Sequence, residues 1–340
     1  MTGAAFTSNG TENRMRWDRR ARDFMEVWYA TATHRKLGSG LWLRYTVTAP
    51  SSPHAEPYCQ LWAFYFDPEG KTTFAGRNQY PADRLGSANG RDDGALVRIG
   101  DAWLSENHLE GAVTAGDRRL SWSIDFEPAD RCYQHLPVSV RDRIERRLST
   151  VCSPNLAVPF TGSVDLDGER IPLDGEPGSQ SHRWGRAHSH AWSWAHCSEW
   201  EESADAVFEG LVARPARRAP ASTLLYLRYR GEDLAFNGLV SSFRSKSRFD
   251  FPTWAFSAQS KRFKVVGAAR TRLARTIQVR YDDPDGGKRY CANSEIADLG
   301  LEVYERGASG WRHSGSLTAM GTAHLEFGRP EPFAELPVAF

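Results

Sequence analysis

The chain has 340 residues, 40% hydrophobic and 12% aromatic, enough for a sizeable core, and at this length two domains are the starting expectation. Its 43 basic and 42 acidic residues leave a formal net charge of +1, which gives no general field for nucleic acid or an anionic membrane. Residues 1–17 hold no apolar run of signal-peptide length and nothing later approaches a membrane span, so a soluble, cytoplasmic protein with no transmembrane segment is expected.

Short alternating runs separated by turn chemistry dominate the chain. "MEVWYATATHR" (25–35), "LWLRYTVTA" (41–49), "YCQLWAFYFD" (58–67) and "KTTFAGRNQY" (71–80) have strand length and composition, with "LGSG" and "DPEG" as turn signals between them. Only "VSVRDRIERRLST" (138–150) reads as a helix. The strand pattern resumes at 119–128, 223–236, 274–295 and 317–328, with "DDPDGG" (282–287) as a hairpin turn. This predicts an all-β protein of antiparallel strands closed into barrels. Five scattered cysteines, odd in number and without a CxxC pair, read as reduced buried thiols. Only six of the 43 basic residues are lysine, a bias that makes "RPARR" (214–218) a poor phosphate site.

A weak internal echo suggests two related halves. "LWLRY" (41–45) returns as "LYLRY" (225–229), each followed by a Trp close to a Ser (Trp103–Ser105, Trp254–Ser257) and by an acid–Pro pair (Glu127–Pro128, Asp283–Pro284). The Pro/Gly-rich "PLDGEPGSQS" places the boundary just after it, giving domains 17–186 and 187–340. Within the first half, "LWAFYF" (61–66) is apolar on both faces, Leu61, Ala63 and Tyr65 against Trp62, Phe64 and Phe66. In a barrel one such face lines the lumen, where Tyr65 would meet an apolar ligand, and the other, with Trp62, meets a second domain; filling of core by both is the competing reading.

Residues 178–200, "GSQSHRWGRAHSHAWSWAHCSEW", hold four of the ten histidines and four of the twelve tryptophans. Sorted by parity, His188, His190, Trp192, Trp194, His196 and Trp200 share one face of a strand, opposite Ser189, Ala191, Ser193, Ala195 and Cys197. His188 and His190 have a metal-ligand spacing, yet no carboxylate or thiol shares their face, so no metal is expected. No Gly-x-Ser-x-Gly elbow, phosphate loop or dinucleotide fingerprint is present, and no basic patch interleaves the aromatics, which argues against nucleophilic catalysis, a nucleotide cofactor and nucleic acid. What survives is acid–base chemistry on an apolar ligand. Gln180, His182 and Trp184 share a parity just before the ring wall, where an imidazole loses solvation and changes its proton affinity. His324 and Glu326 form a second same-face pair, read as a hydrogen-bonded structural pair.

These motifs carry a resemblance. Tandem β halves joined near His182-x-Trp184-Gly185, followed by Trp192-x-Trp194, with "GLWLRYTV" (40–47) and "AHLEFG" (323–328), resemble the two-domain lipocalin-like superfamily. That superfamily includes carotenoid 1,2-hydratase and is similar to tocopherol cyclase and the lipocalin-like Diels–Alderases. The resemblance implies two packed lipocalin-like barrels, an apolar pocket and chemistry on isoprenoid or polyene substrates. Hydratase-like members carry an acid beside the histidine; here Ser181 precedes it and Arg183 follows it, which weakens the case for hydration. The expected protein is thus a cofactor-free binder of an isoprenoid, polyene or fatty-acyl molecule that promotes its cyclisation or hydration. His182 would be its acid–base group and Gln180 would orient the ligand. Trp184, Trp192, Trp194 and His196, with Trp62 and Tyr65, would form the binding wall. A non-catalytic lipid carrier on the same fold is the alternative, and a homodimer stays open.

Overall fold

The structure is a computed structural model and describes residues 5–86, 94–138, 140–141 and 149–340. Most of the expected helix at 138–150 lies outside the described residues. Thirteen strands of the first half form one antiparallel sheet: β1 (Phe6–Ser8), β2 (Phe24–His34), β3 (Ser39–Ala49), β4 (Tyr58–Phe66), β5 (Phe74–Pro81), β6 (Leu85–Gly86), β7 (Ala95–Ile99), β8 (Ala102–Ser105), β9 (His108–Ala115), β10 (Arg118–Asp125), β11 (Arg131–Gln134), β12 (Thr150–Leu166) and β13 (Glu169–Gly185). Ten form a second: β14 (Ala191–Cys197), β15 (Val207–Arg214), β16 (Ser222–Tyr229), β17 (Glu232–Phe236), β18 (Lys246–Asp250), β19 (Thr253–Gln259), β20 (Phe263–Arg270), β21 (Ile277–Asp282), β22 (Lys288–Gly307) and β23 (Gly310–Arg329). One six-residue helix, Leu239–Arg244, interrupts the second sheet.

Turn residues set the hairpins. Gly38 (φ +62°), Gly70 (φ +74°) and Gly286 (φ +85°) occupy left-handed positions in the LGSG, DPEG and DDPDGG turns, where a side chain would be strained. Each sheet curls until its far strands meet. In the first, Asn78 of β5 donates to Thr114 O at 2.8 Å and accepts from Thr114 N at 3.0 Å, bridging β5 to β9. In the second, Thr223 of β16 donates to Ser247 Oγ of β18 at 2.9 Å. Strands at solvent alternate, as in β10, where Leu120, Trp122 and Ile124 point inward and Arg119, Ser123 and Asp125 outward. β3 is buried along its whole length, because its second face is covered by the other sheet.

Both faces of "LWAFYF" are core, and each has its own partner. Leu61, Ala63 and Tyr65 join the interior of the first barrel-like sheet. Trp62, Phe64 and Phe66 join an inter-sheet cluster with Trp42, Trp192, Trp194, Val279, Tyr281, Cys291 and Ile296. The C-terminal Phe340 also crosses back, its ring 5.2 Å from Trp62 and beneath the Arg77 guanidinium.

The tandem arrangement is real, but the sequence echo does not trace it. The strand orders run β4-β3-β2-β13-β12-β10 and β16-β15-β14-β23-β22-β20, so β3 is equivalent to β15 and β4 to β16. "LWLRY" lies in β3 and "LYLRY" in β16, one strand out of step. Trp103 in β8 and Trp254 in β19 are likewise offset, since β19 matches β9. The likeness of LWLRY and LYLRY goes with burial of both faces of β3 and of most of β16 rather than with a shared register.

Candidate active site between the two barrels

The tryptophan-rich segment has a shorter strand than its parity suggests. Only Ala191–Cys197 pairs, and His188 and His190 precede it in a loop. That loop brings His188 against a carboxylate from far along the chain: Nδ1 lies 2.6 Å from Asp283 Oδ1, and the backbone N–H donates to the same oxygen at 3.1 Å. The sequence reading that gave this histidine no acidic partner is corrected, because Asp283 enters from the turn after β21. Burial pushes the imidazole down to about 4, helped by the Arg183 charge and opposed by Asp283. Its ring lies nearly parallel to both Trp192 (5.2 Å) and Tyr281 (4.9 Å), whose own centroids are 6.4 Å apart. Among the described residues, no three His, Cys, Asp or Glu side chains are arranged to hold a metal ion.

This stack forms one wall of a cavity of about 490 Å³ between the two sheets. The expected lumenal pocket is therefore displaced to the outer faces of the barrels. Alternation explains the lining. On β2 and β3, Tyr29, Trp42 and Arg44 point out of the first barrel; on β14 and β23, Trp192, Trp194 and Glu326 point out of the second. Tyr29 meets Trp194 edge-on at 5.9 Å. Arg44 is buried, with its guanidinium 4.4 Å from the Tyr281 ring and its Nε donating to Thr46 Oγ1 at 2.9 Å. Arg183 donates to Ser149 Oγ and Ala187 O, both at 2.8 Å; burial lowers it to about 10, so it remains a cation at neutral pH.

Among the described residues that line the cavity, Glu326 stands with Asp23 and Asp285 as carboxylic acids. Glu326 Oε1 accepts from Asn293 Nδ2 at 3.1 Å. Burial raises its carboxyl above the usual range, although Arg44 and the Trp192 indole oppose the rise. The protonated form is therefore favoured beyond what an exposed glutamate shows. Tyr29 is half-buried, and desolvation pushes its phenol well above its ordinary value, so it stays neutral.

A second polar group reaches the same cavity. His135, following β11, lines it and joins Glu209 of β15, with Nε2 at 2.7 Å from Oε1. His196 Nδ1 lies 3.0 Å from Glu209 Oε2, and the Trp194 indole N–H donates to Oε1 at 2.6 Å. Burial would raise Glu209, but the hydrogen bonds from His135 and His196 outweigh it and hold the carboxyl at about 2.

Of the residues the sequence singled out, Trp192 and Trp194 line the cavity. His182, Gln180 and Trp184 share a face as expected, but it is the inner face of the first barrel, closed by the N-terminal segment. His182 Nδ1 lies 2.6 Å from Glu12 O and Nε2 lies 2.9 Å from Glu26 Oε1, while the ring stacks on Trp28 at 4.7 Å. Gln180 accepts from Asn13 and Asn155 at 2.9 and 3.0 Å and donates to Asn13 Oδ1 at 2.8 Å. Trp184 packs with Cys132 and Cys152. His196 is behind Trp194 on Glu209, Trp62 is in the inter-sheet cluster, and Tyr65 is in the first barrel's core. Arg44, Tyr29, His135 and Tyr281 were missed. The available signal was Arg44, the one charge in the strand "SGLWLRYTVTA".

Gly328 of β23 lies opposite Trp192, and a Cβ there would sit 2.2 Å from indole ring atoms. On the far side of that indole is a second cleft of about 440 Å³, lined by Phe249, Phe251, Phe327 and Phe333. Close by, Gly40 presses on the backbone of Glu295, where a Cβ would approach to 2.5 Å. Glu295 is buried; Oε2 is 3.2 Å from His324 Nδ1 but off the angle of a hydrogen bond, and burial raises its carboxyl strongly.

Comparison with known proteins bears on this arrangement. A curated Mycobacterium tuberculosis protein, the uncharacterized protein Rv0493c, is 27% identical over 325 residues, spanning 92% of this chain and 88% of its own length. Kievitone hydratase from Nectria haematococca superposes with a TM-score of 0.55 at 9% identity, over 97% of this chain and 95% of that one. An AttH-type protein from Nitrosomonas europaea gives 0.53 at 12% identity, over 92% and 96%. Both likenesses establish a shared fold of two tandem barrels. The tocopherol cyclase-like family profile matches residues 156–329, from within β12 through the whole of the second sheet to the end of β23. That stretch is just over half of the sequence, and the chain belongs to the tocopherol cyclase-like family.

Proposed function

We propose that this protein is a cofactor-free cyclase that binds an apolar, isoprenoid-type molecule between its barrels and protonates a carbon–carbon double bond in it. The observation that carries the reading is Glu326: a half-buried carboxyl whose hold on its proton is raised by desolvation, opening onto a cavity walled by Tyr29, Trp42, Trp192, Trp194 and Tyr281. At about 490 Å³ the cavity lies in the roughly 300–1,000 Å³ range of small-molecule sites. Protonating an alkene creates a carbocation, and ring faces stabilise it through their quadrupoles. Capture of that cation by a hydroxyl closes a ring, and capture by water is hydration. The acid missing beside His182 is supplied by Glu326 on another strand. The divisions 17–186 and 187–340 and a reducing cytoplasmic setting, which suits five buried free thiols, belong to the same proposal.

The test pairs binding with turnover. Retinoids, prenylated phenols and fatty acids are titrated while tryptophan emission is followed, and products are read by mass spectrometry. Glu326→Gln is expected to retain quenching and lose turnover by at least about a hundredfold. Binding without turnover in the native protein identifies a carrier instead, and no quenching by any compound refutes the cavity as a ligand site.

A further inference from the structure

The cleft behind Trp192 has a chemistry of its own. Strand parity places its lining at the open end of the second barrel's inner face. Phe208 and Val212 of β15 belong to that barrel's core, and Arg214 follows them on the same face; Leu325 and Phe327 of β23 are followed in the same way by Arg329. Phe249 of β18 and Phe251 in the turn after it pack against the same core. Beneath the cleft the barrel is filled by aromatic rings, Phe208 stacked on Phe256 at 5.2 Å and Trp254 lying 4.8 Å from Phe256. A ligand held here therefore lies at the rim.

The charges of this rim do not balance, since three arginines in the lining face one aspartate. Arg248 is exposed and gives its Nε–H to Asp250 Oδ2 at 2.9 Å, so those two charges offset each other. Arg329 donates from Nε to Glu331 O at 3.1 Å and from Nη2 to Pro332 O at 2.8 Å, and its guanidinium is 4.0 Å from the centre of the Phe333 ring. Carbonyls and a ring hold this group in place without neutralising it. The Glu331 carboxylate is exposed and joins no ion pair among the described residues. Arg214 has the Phe249 ring 5.9 Å away and, among the described residues, no hydrogen bond or ion pair. Ser247 adds a further donor. Its Oγ accepts from Thr223 Oγ1 at 2.9 Å and from the Trp254 indole N–H at 3.1 Å. Both lone pairs are thereby used, and the hydroxyl hydrogen has no acceptor among the described residues.

We propose that this rim is a second ligand site, separate from the cavity between the barrels, and that it takes a compact aromatic carboxylate. Arg214 receives the carboxylate, whose two oxygens match the guanidinium fork. Arg329 and the Ser247 hydroxyl supply further donors from the same lining, and the ligand's ring lies against the half-buried Phe249 and Phe251. Trp192 is the one residue common to the linings of the cleft and the cavity, so the site stands whether or not the cavity is catalytic.

The probes are 2-naphthoate and its uncharged counterpart 2-naphthylmethanol. Isothermal titration calorimetry reads their affinities, and fluorine NMR of the Phe249→4-fluorophenylalanine protein reads the place of binding. Native protein is expected to bind the naphthoate about tenfold or more tighter than the alcohol, the worth of one charged hydrogen-bonded pair, and the naphthoate is expected to shift the signal at position 249. Arg214→Gln is expected to bring the two probes within about twofold of each other, and Arg214→Lys, which keeps the charge and loses the fork, to weaken the naphthoate about threefold or more. Arg214 has no partner in the chain for these changes to strand, and the comparison of the two probes on native protein needs no variant. Equal affinities in native protein, a preference unchanged in Arg214→Gln, no shift at position 249, or displacement of the naphthoate by an equal concentration of inorganic phosphate each overturns the proposal.

Discussion

Glu26 shows why an attractive histidine is structural. Its carboxylate accepts from the backbone N–H groups of Arg16 and Trp17 at 2.6 and 2.9 Å and faces His182 at 2.9 Å, all inside the first barrel. Removing the imidazole leaves Glu26 Oε1 with the Arg16 N–H, takes away its second partner, and removes the ring nitrogen 2.6 Å from Glu12 O. His182→Ala is expected to lower stability by about 1–3 kcal/mol, measured by urea unfolding, with little change in ligand quenching. Glu295 behaves oppositely, since it lacks a hydrogen-bond partner and its raised carboxyl means that folding opposes its ionisation. Its folded affinity for a proton exceeds the unfolded one, so its penalty grows as pH rises above the ordinary carboxyl range near 4.5. Glu295→Gln is expected to raise the melting temperature at pH 8 and to change it little at pH 4.

Strand parity was legible, and its limits are instructive. Alternation in Gln180–Trp184 and in Leu61–Phe66 assigned the faces of β13 and β4 correctly. It gave no information on which face was lumen filled by the chain's own N-terminus and which was the cavity between sheets. That choice depends on Asn13 and Trp17, distant residues that plug the barrel. The loop before β14 was illegible for a similar reason, because its conformation is set by Asp283, 95 positions away. His188 now gives a pH test at the level of this loop. Its folded value of about 4 lies below the ordinary 6.5, so the unfolded chain takes up the proton first as pH falls. Stability is intact above about 6.5 and is lost on the way down to 4, by up to about 3 kcal/mol from this group. His188→Gln is expected to flatten that part of the pH–stability curve.

At the scale of the molecule, the two barrels share one apolar seam, with Trp42, Trp62, Phe64 and Phe66 on one side and Trp192, Trp194, Tyr281 and Ile296 on the other. Separating them would expose a contiguous aromatic patch of the kind soluble monomers avoid. Residues 5–186 expressed alone are expected to aggregate or bind a hydrophobic dye strongly, and co-expression with 187–340 is expected to restore a soluble pair, as read by size-exclusion chromatography. The all-β class and its tandem plan were readable from short alternating runs and turn glycines. The pairing of halves was not, because LWLRY and LYLRY are alike through common burial and lie one strand apart. The polar lining of the cavity was unreadable together since Glu326, Arg44 and His135 come from three strands or loops of both sheets and meet only at the seam.

The contact of Gly328 with Trp192 has a bearing on how such a protein diversifies. The indole lies against β23 only because position 328 lacks a side chain, and the same ring lines both the main cavity and the second cleft, where phenylalanines alternate with Arg214, Arg248 and Asp250. A methyl group at 328 would displace the ring into one compartment or the other, and on the proposed reading this would change the size of ligand the cavity admits while Glu326 keeps its place on β23. On that reading the size of ligand admitted would be set at one α-carbon, apart from the carboxyl proposed to act on it.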